Sequence, residues 1–130
     1  MKKFVPDMYQ KSIYEIDYKA LKKKKIRLVL FDLDNTCVGY HEKVPTEKLE
    51  KLFKKLEKMG FTVVIFSNAP YKRLVPFQKL GVICHHSSMK PFPYHFKKMM
   101  RRHQLKREEV CIIGDQLFTD ICGGNLAGIV

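Results

Sequence analysis

Ile26-Arg27-Leu28-Val29-Leu30-Phe31-Asp32-Leu33-Asp34-Asn35-Thr36 is the stretch on which the fold turns. Its first half, Ile26 to Phe31, is an aliphatic, β-branched run without the polar alternation of a half-solvated strand. Such a run suits a parallel strand covered on both faces. It then stops abruptly at acids. The residues after it read as a helix over Thr46 to Met59. Leu49, Leu52, Phe53, Leu56 and Met59 share one stripe, and Lys48, Lys51, Lys54, Lys55 and Lys58 lie mostly off it. Glu47 with Lys51 and Glu50 with Lys54 are favourable pairs one turn apart. Thr46 is placed to cap the start and Gly60 to end the helix.

The same alternation continues. Phe61 to Phe66 is a second strand, closing at Ser67. Lys72 to Leu80 is a short helix that Pro76 should kink or shorten. Val82 to Cys84 is a third strand, and Pro93 to about His103 is a helix with proline in its first turn. Val110 to Ile113 is the fourth strand, ending at Gly114-Asp115. Asp120 to Asn125 reads as a helical turn, and Gly128-Ile129-Val130 as the start of a fifth strand. Crossovers long enough for a helix predict an α/β, doubly wound, Rossmann-like parallel sheet. Residues 1–25 read as an N-terminal extension with a weak amphipathic pattern (Ile13, Ile16, Leu21), and 26–130 as the domain. The run Lys22 to Lys25 reads as a solvated entry to the first strand.

Composition narrows the function. The chain has 130 residues, 45% hydrophobic and 29% charged, a globular mixture large enough for one core. Lys+Arg 25 against Asp+Glu 13 gives a net charge of +12, which draws anionic partners: nucleic acid, anionic lipid or phosphorylated substrates. No apolar run approaches the ~18 residues of a membrane span. Met1-Lys2-Lys3 is followed by Phe4-Val5-Pro6-Asp7 rather than an apolar export segment. The expectation is a cytoplasmic protein, peripheral at the membrane at most. Cys37, Cys84, Cys111 and Cys122 form no CxxC pair and read as reduced thiols. Cys84-His85-His86 has no second ligand pair at a plausible interval.

In open parallel sheets, ligands bind beyond the carboxyl ends of the strands. There the first strand offers Asp32 and Asp34, the second Ser67-Asn68, and the fourth Asp115, followed by Asp120. Lys90-Pro91 lies between the second and fourth. Each alone has a plain reading as a turn former, a cap or a solvated lysine. Together, four carboxylates around one crevice repel unless a divalent cation compensates. Oxygen ligands of this kind select a hard ion, Mg²⁺. Two carboxylates leaving one strand end suit phosphoryl transfer. One attacks phosphorus, and the other protonates the leaving alcohol and later activates water.

FDLDNT (Phe31 to Thr36) and GDQLFTD (Gly114 to Asp120) resemble the motifs of the haloacid-dehalogenase (HAD) superfamily. With SNAP, MKP, GDQLFTDICGGN and the Pro6 segment, the chain is similar to the YqeG-type, subclass IIIA branch. That branch is itself similar to mitochondrial phosphatidylglycerophosphate phosphatases. The resemblance implies Asp32 as nucleophile and Mg²⁺ ligand. It implies Asp34 as general acid/base, with its carbonyl on the metal. Thr36 and Asn68 would serve the substrate side, and Ser67 and Lys90 would hold the phosphoryl group. Asp115 would be a metal ligand and Asp120 would support the metal's outer shell. Cys37 replaces an aliphatic residue and reads as a core swap. The resemblance also implies a fifth strand and helix continuing past Val130.

Neither the stretch from Asp32 to Ser67 nor that from Ser67 to Lys90 can hold a cap domain of ~50 residues or more. A capless site admits bulky substrates: a lipid headgroup at an anionic membrane, a phosphoprotein or a nucleic-acid end. Lys97, Lys98, Arg101 and Arg102 form a basic helix face. The expected function is therefore a Mg²⁺-dependent phosphomonoesterase, with phosphatidylglycerophosphate favoured. One alternative is a basic module that docks on nucleic acid or membrane, its acidic site vestigial. Another is a receiver-like phosphoacceptor. In that class the lysine comes last, whereas here Lys90 precedes Asp115.

Overall fold

A computed structural model describes residues 12–33, 37–39, 41–67, 69–86, 92–114 and 119–122, the last four through their backbone. Two short helices come first, α1 (Ser12–Glu15) and α2 (Tyr18–Lys23). Then follow β1 (Leu28–Asp32), α3 (Glu47–Lys58), β2 (Thr62–Ser67), α4 (Tyr71–Gln78), β3 (Ile83–His86) and α5 (Phe92–His103). A 3₁₀ turn (Arg107–Glu109) leads into β4 (Val110–Gly114), and β5 (Thr119–Cys122) closes the sheet. The strand order is β3-β2-β1-β4-β5. β1, β2, β3 and β4 are parallel. The chain winds outward first through β2 and β3, then on the other side through β4. The switch point lies between β1 and β4.

β1 is the central strand, and Leu28 to Phe31 are buried on both faces, as its unbroken apolar run requires. On one face α1, α2, α3 and α4 supply Ile13, Leu21, Phe53, Leu56, Leu74 and Phe77 to a core that includes Val29, Phe31 and Ile65. On the other, Phe96 and Met99 of α5 cover Leu28, Leu30, Val64 and Phe66. α3 begins where Thr46 caps it: Thr46 Oγ1 accepts from the Leu49 amide at 3.1 Å. Past its end Gly60 takes φ +100°, a left-handed conformation that favours glycine. α4 stops two residues beyond Pro76.

Two expectations need correction. Residues 119–122 form no helical turn. They run antiparallel to β4, with Thr119 opposite Gly114 and Cys122 opposite Cys111. Thr, Asp, Ile and Cys are weak helix formers, and pairing satisfies the backbone groups that the edge of β4 would otherwise expose. The sheet is thus parallel with one antiparallel edge strand. The thiols are also not uniform: Cys37 and Cys84 are free, whereas Cys111 is disulfide-bonded. The antiparallel register sets Cys122 opposite Cys111, a pairing that spacing along the chain does not reveal. Gly128-Ile129-Val130, read as the start of a fifth strand, lies outside the described residues; the fifth strand found is β5.

Candidate active site

Three strands bring their carboxyl ends to one edge. In register, Asp32 is opposite Phe66 and Phe31 is opposite Ile113. Ser67 therefore lies one residue beyond Asp32 on the neighbouring strand. Gly114, the last residue of β4, stands beside Asp32 on the other side. Adjacent strands are ~4.8 Å apart, so the exits of β1, β2 and β4 lie side by side at one edge. Asp34, Thr36, Asn68, Lys90 and Asp115 lie outside the described residues. Asp120 is described through its backbone alone, in β5 opposite Ile113.

Asp32 is half-buried at the exit of β1. The chain turns immediately: the Leu33 amide donates to the Phe66 carbonyl at 3.1 Å, and the amides of Cys37 and Val38 both return to the Leu33 carbonyl. The Cys37 thiol donates to the backbone carbonyl of Asp32 at 3.4 Å. Cys37 is 4% exposed, so this contact is sheltered from water. Cys37 packs in the core, as a core swap requires, and its thiol also holds the carbonyl of the residue proposed to react. Replacing Cys37 with Val adds one heavy atom and removes the donor. We expect the turnover number to fall about 3- to 10-fold with the melting temperature within a few degrees, the size of one weak hydrogen bond. Cys37→Ser should restore most of the rate. Steady-state kinetics on the three proteins checks this.

Ser67 is fully buried, and its Oγ accepts from the Ala69 amide at 3.0 Å. This bond fixes the turn that follows β2. A hydroxyl that accepts here still has its own proton to donate. Beyond Ser67, α4 starts within four residues, so this exit is short and held. The loop after β1 is tied to the same place: Arg73 of α4 donates to the Glu42 carbonyl.

Burial pushes the Cys84 thiol up to about 11, so it stays protonated at neutral pH. His85 is pushed below its usual value, first by burial and then by Arg102, His95, His103 and Lys98. The protonated Cys84 thiol is a poor metal ligand. Among the described residues, no group of three or more His, Cys, Asp or Glu side chains is placed to hold one.

Residues 13–128 match the haloacid dehalogenase-like hydrolase family, across both the central strand and the acidic exits. The chain belongs to that family. It is 35% identical over 126 residues to a Bacillus subtilis (strain 168) protein named Probable phosphatase YqeG, covering 96% of this chain and 73% of that protein. Two solved structures share the fold. An uncharacterized protein from Listeria monocytogenes serotype 4b aligns with a TM-score of 0.58 and 19% identity, covering 79% of this chain and 75% of that one. A hypothetical protein from Xanthomonas campestris aligns with a TM-score of 0.56 and 17% identity, covering 85% and 63%. As a haloacid dehalogenase-like hydrolase, the chain carries only α3 between β1 and β2 and only α4 between β2 and β3 among the described elements. The crevice is therefore uncapped from those two crossovers.

Proposed function

We propose that this chain is a phosphomonoesterase that works through an aspartyl-phosphate on Asp32, assisted by Mg²⁺. Its favoured substrate is a phosphorylated lipid headgroup of the phosphatidylglycerophosphate kind. The observation that carries the reading is the position of Asp32. It ends the central strand, at the switch point, on the edge where ligands bind in such sheets. Membership of a hydrolase family and the name of the Bacillus relative support the same chemistry.

The steps follow from the residues. An Asp32 carboxylate oxygen forms a bond to phosphorus as the bond from phosphorus to the alcohol oxygen breaks. Asp34 gives that oxygen its proton. Asp34 then takes a proton from water, whose oxygen attacks phosphorus and frees inorganic phosphate and Asp32. Ser67 donates to a phosphoryl oxygen, and Lys90 offsets its charge. An all-oxygen donor set fits Mg²⁺, which Asp32, Asp34 and Asp115 would hold, with Asp120 outside them. When bound, the ion supplies positive charge against the phosphoryl oxygens. Release of phosphate from p-nitrophenyl phosphate in Mg²⁺, lost in EDTA, is the expected result. Full activity in EDTA contradicts the metal assignment.

The lipid substrate is supported by what surrounds the crevice. Among the described residues, the exposed large apolar side chains are Val44, Tyr71, Val75 and Tyr94. Val44 precedes the cap of α3, Tyr71 opens α4, Val75 is one turn along it, and Tyr94 is in the first turn of α5. Each of these helices starts from the carboxyl edge of the sheet. Val44, Tyr71 and Tyr94 thus belong to helix starts on the edge of the candidate site, with Val75 one turn further along. Lys43 and Lys72 are exposed beside Val44 and Tyr71. Apolar and aromatic side chains mixed with lysine suit an anionic lipid–water interface. The double variant Tyr71→Ser, Tyr94→Ser should bind phosphatidylglycerol vesicles about 10-fold more weakly and lose activity on vesicle-borne substrate in proportion. Its rate on p-nitrophenyl phosphate should stay within about 2-fold. Sedimentation and phosphate release measure both; equal losses on both substrates would contradict the interfacial role.

A further inference from the structure

We propose that a lysine-lined groove on the opposite edge of the sheet binds a single strand of nucleic acid through its phosphates, without regard to sequence. α3 descends from the site edge and returns the chain to the amino end of β2. α2 likewise feeds the amino end of β1. The C-terminal turns of these two helices meet there. Lys22 of α2 donates to the Met59 carbonyl just past α3 and lies 5.7 Å from the Phe61 ring centroid. That contact joins the ends of the two helices.

Two concavities share Lys55 and Met59, the larger along α3 itself and the smaller where α2 meets the end of α3. An open groove of about 760 Å³ is lined by Lys51, Lys54, Lys55, Glu57, Lys58 and Met59. A smaller one of about 210 Å³ adds Lys19, Asp17, Ile16 and Tyr18. Little of this charge is neutralised. Among the described residues the ion pairs are Arg27 with Glu109 and Lys54 with Glu50. Asp17 is engaged as the cap of α2, accepting from the Ala20 amide. Lys19, Lys51, Lys55 and Lys58 thus face the groove without an acidic partner among those residues. Lys23, Lys24 and Lys25 extend the same edge and are exposed.

The spacing selects the partner. Lys51, Lys55 and Lys58 recur once per turn, so their stems stand ~5–6 Å apart along α3. A regular row of cations answers a regular row of anions, as a phosphodiester backbone provides. Tyr18 and Phe61, at this edge, are each only 4% exposed, so the described residues there offer bases no stacking platform and contact stays with the backbone. A bilayer fits less well. The surface is concave, and the apolar rim suited to lipid lies at the other end of β1, a strand of five residues or ~16 Å. The proposal does not depend on the phosphatase reading, because it uses none of the same residues.

The test is fluorescence anisotropy with a labelled 20-nucleotide oligouridylate across KCl concentrations. Wild type should bind with a steep salt dependence. Neutralising Lys51, Lys55 and Lys58 to Ala should weaken binding at least about 10-fold at low salt. It should flatten the slope of log affinity against log salt by about 2, since each lost phosphate contact removes ~0.7. The control removes equal charge from α5 with Lys97→Ala, Lys98→Ala and Arg101→Ala, and should keep most of the affinity. All six positions are exposed, and alanine favours helix, so thermal melts should stay close to wild type. Equal losses in both variants, or no binding by wild type, would overturn the proposal. So would a groove variant that loses phosphatidylglycerol vesicles but keeps RNA. Polyglutamate of matched charge binding as tightly as RNA would reassign the groove to an acidic protein, and so overturn it too.

Discussion

Asp32→Asn is expected to lower the phosphatase rate at least about 1,000-fold, some 4 kcal/mol of transition-state stabilisation. The amide keeps the shape of the side chain but cannot attack phosphorus. The strand it ends is hydrogen-bonded on both sides, to β2 and β4, and the residue is only half-buried. The fold should therefore survive. Circular dichroism and the melting temperature should match wild type while phosphate release disappears. A folded Asp32→Asn protein with more than a tenth of the wild-type rate would exclude this residue as the nucleophile.

The largest structural loss is expected from Phe53→Ala. Phe53 is 1% exposed on α3, and its ring centroid lies 5.2 Å from that of Phe31, tilted by 39°. Phe31 is fully buried and directly precedes Asp32. Removing the ring leaves a cavity between α3 and β1, at a cost of ~3–5 kcal/mol. For a domain with ~5–15 kcal/mol in total, that is a large fraction. Urea unfolding should show the unfolding free energy falling by that amount, through a lower midpoint at unchanged slope. A change below about 1 kcal/mol would mean that α3 is not held to the sheet as described.

The four parallel strands and the helices that follow the first three were legible because each carries its own signal. β1 is apolar without interruption, and α3 combines a stripe of Leu and Phe with Thr46 before it and Gly60 after it. Nothing local signals β5. Four residues followed by Gly123-Gly124 are too few to show a period, and their pairing with β4 is set by the open edge of the sheet. The site was legible in part. Asp32 and Ser67 stand at neighbouring strand exits, as the parallel order requires. The Cys37 clamp was not legible, since a thiol meeting a carbonyl five residues back depends on how the turn closes. The basic groove was missed for a different reason. Lys19 and Lys22 are separated from Lys51 and Lys55 by β1 in sequence, and only the packing of α2 beside the end of α3 joins them.

Chemical trapping tests the central assignment most directly. Enzyme acid-quenched during turnover should carry phosphate on the peptide containing Asp32, and the label should be removed by hydroxylamine, as an acyl phosphate requires. Borohydride reduction of the quenched protein should convert residue 32 to homoserine, read by mass spectrometry. Phosphate found on a different residue, or turnover that leaves residue 32 unmodified under every quench, would contradict the account.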